Sequence, residues 1–330
     1  MVKGKHVDPQ VREARVMARQ RIGKLRDAKI QQATLRRYWA QTYLFCQFVM
    51  SLGWQAAATW DILDWQLQEY IEYMWEFGFS VNDAQDTCSG TQHFLRTRRR
   101  IPGAWKLIGV WRTFELPERA PPMLPIVMTA MLGYCVSAQW YGMCATLLVG
   151  WHGFLRTTEM TSLKASQIRV GKDWKGVINL GLTQIGARRG ANEMITVTEA
   201  AVGLLLSVAA RRVPFEEPLM GCGAMKFRAV FGFLCQILDI EFMGLRPYSI
   251  RRGAATEFFV GTQDVGATLF RGRWSDIRTA KIYVTDGAAA LTKLQVSELQ
   301  DSKLRYHSGV FRTFLQSFDV NPPAGLFQDL

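Results

Sequence analysis

Hydrophobic residues in the first third of the chain recur at helical spacing. From Thr34, apolar and aromatic positions repeat every three or four residues until Gly53 ends the segment, which predicts an amphipathic helix. Residues 61–78 repeat this pattern and also end on a glycine, and residues 80–100 form a third such segment. An all-helical module is therefore predicted in this part of the chain.

The middle of the chain changes pattern twice. Residues 120–155 contain no charged side chain, a length that could span a membrane, but their prolines and polar residues favour two buried helices separated near residues 136–139. Residues 167–197 then alternate apolar and polar positions around glycine turns, which predicts a small antiparallel sheet. Helices are expected to resume near residue 198 and to continue to about residue 317. The predicted fold class is mainly α with a small antiparallel β-sheet (α+β).

The proline-rich stretch at 116–124 is the best candidate for a domain boundary. A chain of 330 residues is long enough to form two domains with separate cores. The predicted organisation is a basic tail at 1–33, a helical module at 34–115, a linker at 116–124, a main domain at 125–300 and a C-terminal tail at 301–330.

The charge of the chain is strongly positive and unevenly distributed. The net charge is +12, and residues 1–38 alone hold eleven Lys/Arg against three acids. A protein this basic usually binds a polyanion, most often nucleic acid. Residues 51–90 hold seven acids and no Lys/Arg, whereas residues 91–113 hold six Lys/Arg and no acid. A solvated helix end would explain the basic run, but the run also suits DNA phosphates through Arg96, Arg98, Arg99 and Arg100.

The six cysteines are scattered without a CxxC pair, and the chain has only four histidines. Neither a zinc site nor a disulfide framework is predicted, and a reducing compartment fits this composition. The first residues lack the apolar core of a secretion signal. We therefore expect an intracellular protein with no metal, no cofactor and no membrane segment, located in the nucleus if the source is eukaryotic and otherwise in the cytoplasm.

Four features with chemical potential follow one another in the second half of the chain. Arg156 and Glu159 lie three residues apart at a predicted helix start. The predicted hairpin comes next, followed by Arg251 at another helix start. The stretch "RGRWSDIRTAKIYVTD" then supplies Trp274 and Tyr283. Each feature alone has a plain alternative, such as a surface ion pair or a core aromatic residue, but their order is specific.

Two arginines and a tyrosine are the residue types that metal-free phosphoryl transfer needs. The nonbridging oxygens must be neutralised and the nucleophile held in line, and arginine forks bind phosphate bidentately at any working pH. A phenol, with an ordinary pKa near ~10, becomes nucleophilic when cations favour the phenolate. Tyr283 is therefore the candidate nucleophile, with Arg156 and Arg251 as the candidate phosphate ligands.

These segments resemble the sequence boxes of tyrosine recombinases of the phage-integrase family. The stretch "GFLRTTEMTSLKASQI" resembles the first arginine box, "PYSIRRGAAT" resembles the H-x-x-R box, and "GRWSDIRTAKIY" resembles the G-(H/W)-S-x-x-x-T-x-x-x-Y box. The resemblance covers residues 34–300. It implies a helical core-binding domain and a mostly helical catalytic domain that form a clamp around double-stranded DNA. It also implies DNA recombination or integration by a homo-oligomer on DNA, as in some mobile-element members, through a 3′-phosphotyrosine intermediate.

The resemblance assigns roles to the site residues. Arg156 and Arg251 would bind the scissile phosphate, Glu159 would brace the site, Trp274 would pack or donate to the phosphate, and Tyr283 would attack. Further basic residues of these segments are candidates for DNA binding: Arg188, Arg189, Arg252 and Arg273.

Two positions depart from the family pattern. Tyr248 stands where the H-x-x-R box has histidine, and Gln184 stands where the hairpin has a lysine that serves the family as general acid. Glutamine cannot donate a proton in that way, and the pKa of arginine, above ~12, makes Arg188 or Arg189 a reluctant acid. A DNA-binding protein that kept the clamp and lost catalysis is therefore an alternative. A relaxing enzyme similar to type IB topoisomerases is another, because it would share the tyrosine chemistry.

The C-terminal segment has two possible partners. Family members exchange a C-terminal helix with a neighbouring protomer, and residues 286–317 have apolar positions suited to exchange, whereas packing on their own domain is the alternative. The apolar positions are Leu291, Leu294, Val296, Leu299 and Leu304.

Overall fold

The chain folds into two compact units, Met1–Glu118 and Arg119–Leu330. Their division falls inside the proline-rich stretch at 116–124. The computed structural model describes the following residues: 9–20, 30–97, 100–115, 119–181, 192–277, 296–323 and 326.

The described part of the first unit is helical. Capping side chains and prolines mark the starts of several of its helices. The Thr59 hydroxyl accepts a hydrogen bond from the N–H of Ile62, 3.3 Å away, and Ser80 caps the next helix in the same way. The helices are α1 (Pro9–Gln20), α2 (Gln32–Ser51), α3 (Trp60–Glu76), α4 (Val81–Phe94) and α5 (Pro102–Phe114). Helix α1 lies within the segment predicted as a basic tail.

Helices α3 and α5 of this unit are joined by a charged cap as well as by apolar packing. The carboxylate of Asp64, on α3, accepts the N–H groups of Gly103 and Ala104 at 2.8 and 2.9 Å. These N–H groups belong to the first turn of α5, where no intrahelical acceptor exists. The core beside this cap is apolar and includes Leu67 and Met74, both 0% exposed.

The second unit is mainly helical with one small sheet, so the predicted fold class is confirmed. The two uncharged helices predicted at 120–155 are also confirmed: they are α6 and α7, and most residues of both are buried. The elements of this unit are α6 (Pro125–Ser137), α7 (Tyr141–His152), α8 (Thr157–Ser162), β1 (Ile168–Val170), β2 (Gly176–Gly181), β3 (Glu193–Val197), α9 (Ala200–Ala210), α10 (Ala224–Ile237), α11 (Pro247–Thr262), α12 (Val265–Gly272) and α13 (Glu298–Gln316).

The predicted antiparallel sheet is confirmed in the order β1-β2-β3. Ile178 of the central strand pairs with Ile168 on one side and Ile195 on the other, and its side chain is fully buried. The sheet is tied to the end of α7, because Nε2 of His152 lies 3.1 Å from the carbonyl oxygen of Thr196. This connection brings β3 next to the loop that leads into α8.

The expected linker at 116–124 is only partly a linker. Its described residues, 119–124, pack on the second unit: Met123 is fully buried, and its N–H donates to the carbonyl oxygen of Ser249 at 3.0 Å. Because these residues are packed on the second unit and hydrogen-bonded to it, they belong to the second unit.

The expected boundary at residue 301 falls inside α13, which packs on α6 of its own chain. Thr129 and Ser308 are joined through their hydroxyls at 2.6 Å, and a Cβ at Gly133 would lie 1.8 Å from the backbone oxygen of His307. Of the apolar positions suited to exchange, Leu304 is buried and Leu299 is 79% exposed, while Leu291 and Leu294 lie outside the described residues. In this structure of a single chain α13 packs on its own unit, and exchange with a neighbouring protomer stays a prediction.

Among the described residues, no helix is both long enough and apolar enough to cross a lipid bilayer.

Candidate active site

Arg156 and Glu159 occupy the start of α8, as predicted. Arg156 precedes the first helical residue, and its backbone N–H donates to Oε2 of Glu159 at 2.9 Å, so the carboxylate satisfies a donor at the helix start. Nη1 of Arg156 also donates to Oε1 of Glu159 at 2.7 Å. Among the described residues, no further partner engages the Nε–Nη2 edge of Arg156, and its side chain is 29% exposed. That edge can accept an anion bidentately.

Arg251 connects the segment before α8 to the end of α12 through hydrogen bonds. Its guanidinium donates through Nη1 to the carbonyl oxygen of Phe154 and through Nη2 to that of Gly272 at 2.7 Å. The first carbonyl lies two residues before Arg156, and the second ends α12. The Arg251 side chain is only 1% exposed. In this state it is a buried brace between backbone segments, and phosphate could reach it only after the surrounding residues move.

Arg273 closes the cluster from the third segment. Nη2 donates to Oε2 of Glu159 at 2.6 Å, and Nη1 donates to Oε2 of Glu193, on β3, at 3.0 Å. Both carboxylates and the guanidinium are about 10% exposed. In this structure the charge of Arg273 is neutralised inside the protein by two carboxylates, and its expected role in binding DNA stays a prediction. Its backbone, with φ of 55°, is in the left-handed region.

The pKa of Glu159 is set by opposing effects. Burial alone would raise it, but the positive charge of Arg273 and the hydrogen bonds from Arg156 and Arg273 outweigh burial, and the pKa lies below its ordinary value. Glu159 thus stays ionised and holds two arginines together. The predicted bracing role has a concrete geometry here, although the sequence indicated only one of the two arginines.

Trp274 covers the guanidinium of Arg251. The arginine carbon Cζ lies 5.0 Å from the centroid of the indole, within cation–π distance, and Phe154 packs against the same ring at 6.3 Å. A Cβ at Gly272 would lie 2.5 Å from the indole, so a glycine there lets the ring fold back over the site. In this structure Trp274 packs against Arg251 and Phe154, and its role at the phosphate stays a prediction.

A second charged cluster adjoins the first and was not predicted from the sequence. Nε of Arg271 donates to the carbonyl oxygen of His152 at 2.7 Å, and its guanidinium lies 3.6 Å from the Glu199 carboxylate. Burial lowers the pKa of Arg271, and Glu199 partly offsets this effect. The cluster fixes the end of α12, directly before Arg273 and Trp274.

The other predicted residues are distributed as follows. Tyr248 is 40% exposed in the first turn of α11. Arg252 is 3% exposed and donates to the carbonyl oxygen of Ala120 at 2.6 Å, and its expected role in binding DNA stays a prediction. In the first unit, Arg96 is exposed, and Arg100 lies over the ring of Trp60 at 5.9 Å. The remaining predicted residues lie outside the described part of the chain: Tyr283, Gln184, Arg98, Arg99, Arg188 and Arg189.

Several groups of the site could not be identified from the sequence. The carbonyls of Phe154 and Gly272 carry no side-chain signal, and Glu193 is an ordinary acid at a strand start. Phe154 has a φ of 46°, which turns its carbonyl towards Arg251, but no glycine or asparagine marks this turn in the sequence. In the part of the chain that the structure describes, no group of three or more His, Cys, Asp or Glu side chains is arranged to hold a metal ion.

Comparison with known proteins gives a likeness of fold. No protein-family model matches the chain, and no curated protein matches it. The structure of the Tn1549 transposon integrase in complex with transposon right-end DNA is similar, with a TM-score of 0.57, 14% sequence identity and coverage of 86% of this chain and 98% of that one. The same integrase with circular-intermediate DNA gives a TM-score of 0.47 at 13% identity, covering 78% of this chain and 98% of that one. XerA recombinase gives 0.38 at 14% identity, covering 94% and 98%. The chain, which is mainly helical with a small antiparallel sheet, therefore has the fold of the Tn1549 transposon integrase.

Proposed function

We propose that this protein cuts and rejoins duplex DNA, with Tyr283 as the nucleophile and a 3′-phosphotyrosine as the intermediate. The observation that supports this proposal is the convergence of three distant segments: residues 154–159, Arg251 and residues 272–274 meet through direct hydrogen bonds. These are the segments that resemble the recombinase boxes. The Tn1549 integrase, whose fold this chain shares, was solved bound to transposon DNA.

The chemistry follows from the charges that the site holds in place. The open edge of Arg156 binds the nonbridging oxygens of the scissile phosphate, and Glu159 with Arg273 keeps that arginine in position. Arg251 supplies a second positive charge once DNA binding opens the packing around it. Both charges favour the phenolate of Tyr283 and stabilise the transition state. The tyrosine oxygen forms a bond to phosphorus, the bond to the 5′ oxygen breaks, and that oxygen takes a proton.

Proton delivery is the step in which this chain departs from the family pattern, because Gln184 replaces the hairpin lysine. We propose that the wild-type protein cleaves slowly for this reason. Assembly of a homo-oligomer on DNA, and integration or excision of a mobile element, belong to the same proposal.

Covalent trapping on a nicked suicide substrate tests the nucleophile. Wild type should form an adduct that resists denaturant, and Tyr283→Phe should form none while binding the same DNA with unchanged affinity. Tyr306→Phe is the matched control, because Tyr306 is a 69% exposed tyrosine in the same unit and its loss should leave the adduct intact. DNA binding without any adduct would identify a catalytically inactive DNA-binding protein. Plasmid relaxation without strand exchange would identify a topoisomerase.

The same assay tests the proton donor. Gln184→Lys should speed cleavage by up to about 10²–10⁴-fold, the usual contribution of a general acid. A 5′-bridging phosphorothiolate, whose leaving group needs no proton, should speed wild type by a similar factor and Gln184→Lys by less. Equal acceleration of both proteins by the phosphorothiolate would show that position 184 is not the site of the proton donor.

A further inference from the structure

The first unit carries an acidic, aromatic surface that is unsuited to DNA. Glu69, Glu72 and Glu76 are exposed and follow one another at spacings of three and four on α3, so they form one row along the helix. A DNA phosphate backbone is repelled by such a row.

An apolar groove lies beside this row, between α3 and α5. Its volume is about 340 Å³, and it is lined by Ile71, Glu72, Trp75, Leu107, Val110, Trp111 and Phe114. The aromatic rings pack against one another: the ring of Trp75 contacts that of Trp111 edge to face, with centroids 5.3 Å apart, and that of Phe114, with centroids 6.3 Å apart. Trp75, Val110 and Phe114 are nevertheless 40%, 45% and 74% exposed. An apolar groove with an acidic rim fits an amphipathic helix with basic residues.

Helix α1 has the complementary character. Arg12, Val16 and Arg19 lie at spacings of four and three, so they share one face, and all three are exposed. Val16 and the adjacent Met17 are 45% and 63% exposed. A helix of 12 residues is marginal in water without tertiary packing, so α1 needs a partner that covers these side chains.

The charge spacings of the two helices match. Arg12 and Arg19 are seven residues apart, and so are Glu69 and Glu76. Seven residues of helix rise about 10.5 Å, so both arginines can meet both carboxylates while Val16 lies over the groove. We propose that α1 of one copy docks in the α3–α5 groove of a second copy. This contact links protomers through their first units and does not depend on whether Tyr283 reacts.

The contact is heterologous, because a helix of one copy enters a groove of another and leaves its own groove open. It can therefore propagate along a row of protomers or close into a ring. The acidic row also keeps this face away from DNA, and the exposed Arg96 and Arg100 lie in the segment between α4 and α5.

Sedimentation velocity of the full chain without DNA tests the proposal. Wild type should associate with increasing concentration, and added salt should weaken the association because the contact is charged. Val16→Asp and Phe114→Asp should each weaken it about tenfold or more, since each places a carboxylate in an apolar contact. Phe242→Asp is the matched control, as Phe242 is 59% exposed in the second unit. Far-UV circular dichroism checks that all variants are folded.

Mixing the variants separates this contact from other modes of association. Val16→Asp keeps an intact groove and Phe114→Asp keeps an intact α1. The mixture should therefore form 1:1 dimers and nothing larger at concentrations where each variant alone is monomeric. Arg12→Glu with Arg19→Glu should abolish association, and a second chain carrying Glu69→Lys and Glu76→Lys should restore it. A wild type that stays monomeric, a mixture without dimers, or arginine variants that lose DNA affinity but still self-associate would each overturn the proposal.

Discussion

Removal of the Glu159 charge should unfold the second unit at a lower temperature. In Glu159→Gln, the shape of the side chain is kept, but the acceptor that joins Arg156 to Arg273 loses its charge. Breaking a buried ion pair costs about 3–5 kcal/mol. Arg156 is 29% exposed, so water compensates part of its loss, and the amide oxygen still accepts one hydrogen bond. We therefore expect a loss of about 2–3 kcal/mol, which lowers Tm by about 5–10 °C for a unit of this size.

The lowered pKa of Glu159 predicts how the loss of stability in Glu159→Gln depends on pH. The folded-state pKa of Glu159 lies below its ordinary value, so its ionisation stabilises the folded state above the unfolded pKa of about 4.3. This contribution is lost as the pH falls through the lower folded pKa. Glutamine does not titrate, so the difference in Tm between wild type and Glu159→Gln should be largest near neutral pH and should narrow in acid.

Differential scanning calorimetry measures both effects and can resolve the transitions of the two units. Glu216→Gln is the matched control, because the Glu216 side chain is 69% exposed and lies 3.4 Å from Lys164, and such surface pairs contribute about 0–1 kcal/mol. Equal shifts for the two variants near neutral pH, or a Glu159→Gln difference that stays constant into acid, would refute the assignment of Glu159 as a buried charged brace.

Two further predictions concern packing and capping. Gly133→Ala should destabilise the second unit by about 1–3 kcal/mol, because its Cβ would lie 1.8 Å from the backbone oxygen of His307. Gly232→Ala, at a helix position with nothing within 4 Å, should instead be neutral or stabilise by up to about 1 kcal/mol, and thermal unfolding compares the two. Asp64→Ala should destabilise the first unit by about 1–2 kcal/mol, since it removes the acceptor of two N–H groups at the start of α5. Asp61→Ala, whose exposed carboxylate lies in the first turn of α3, should cost less than half as much by the same measurement.

The sequence alone determined the local architecture of this protein, because the signals involved act over short distances. The absence of charge at 120–155 indicates burial on all sides, and the proline at the start of α6 and the polar break before α7 are enough to place the two helices. Alternation around glycine turns predicts the sheet in the same way. The helix start at Arg156 and Glu159 could also be read directly, because a carboxylate three residues into a helix bonds to the N–H before it.

Only the tertiary structure decided what the arginines do. Arg251, Arg252 and Arg273 look alike in the sequence, but each is buried and bonded to carbonyls or carboxylates contributed by other segments. The sequence is equally ambiguous about α13, because its apolar positions are compatible with exchange or with self-packing. In this structure a glycine and a hydroxyl group of α6 contact α13 of the same chain. A local pattern indicates which side chains are removed from water, but the partners of these buried charges lie 21, 132 and 80 positions away in the sequence. Only the folded chain brings each pair together.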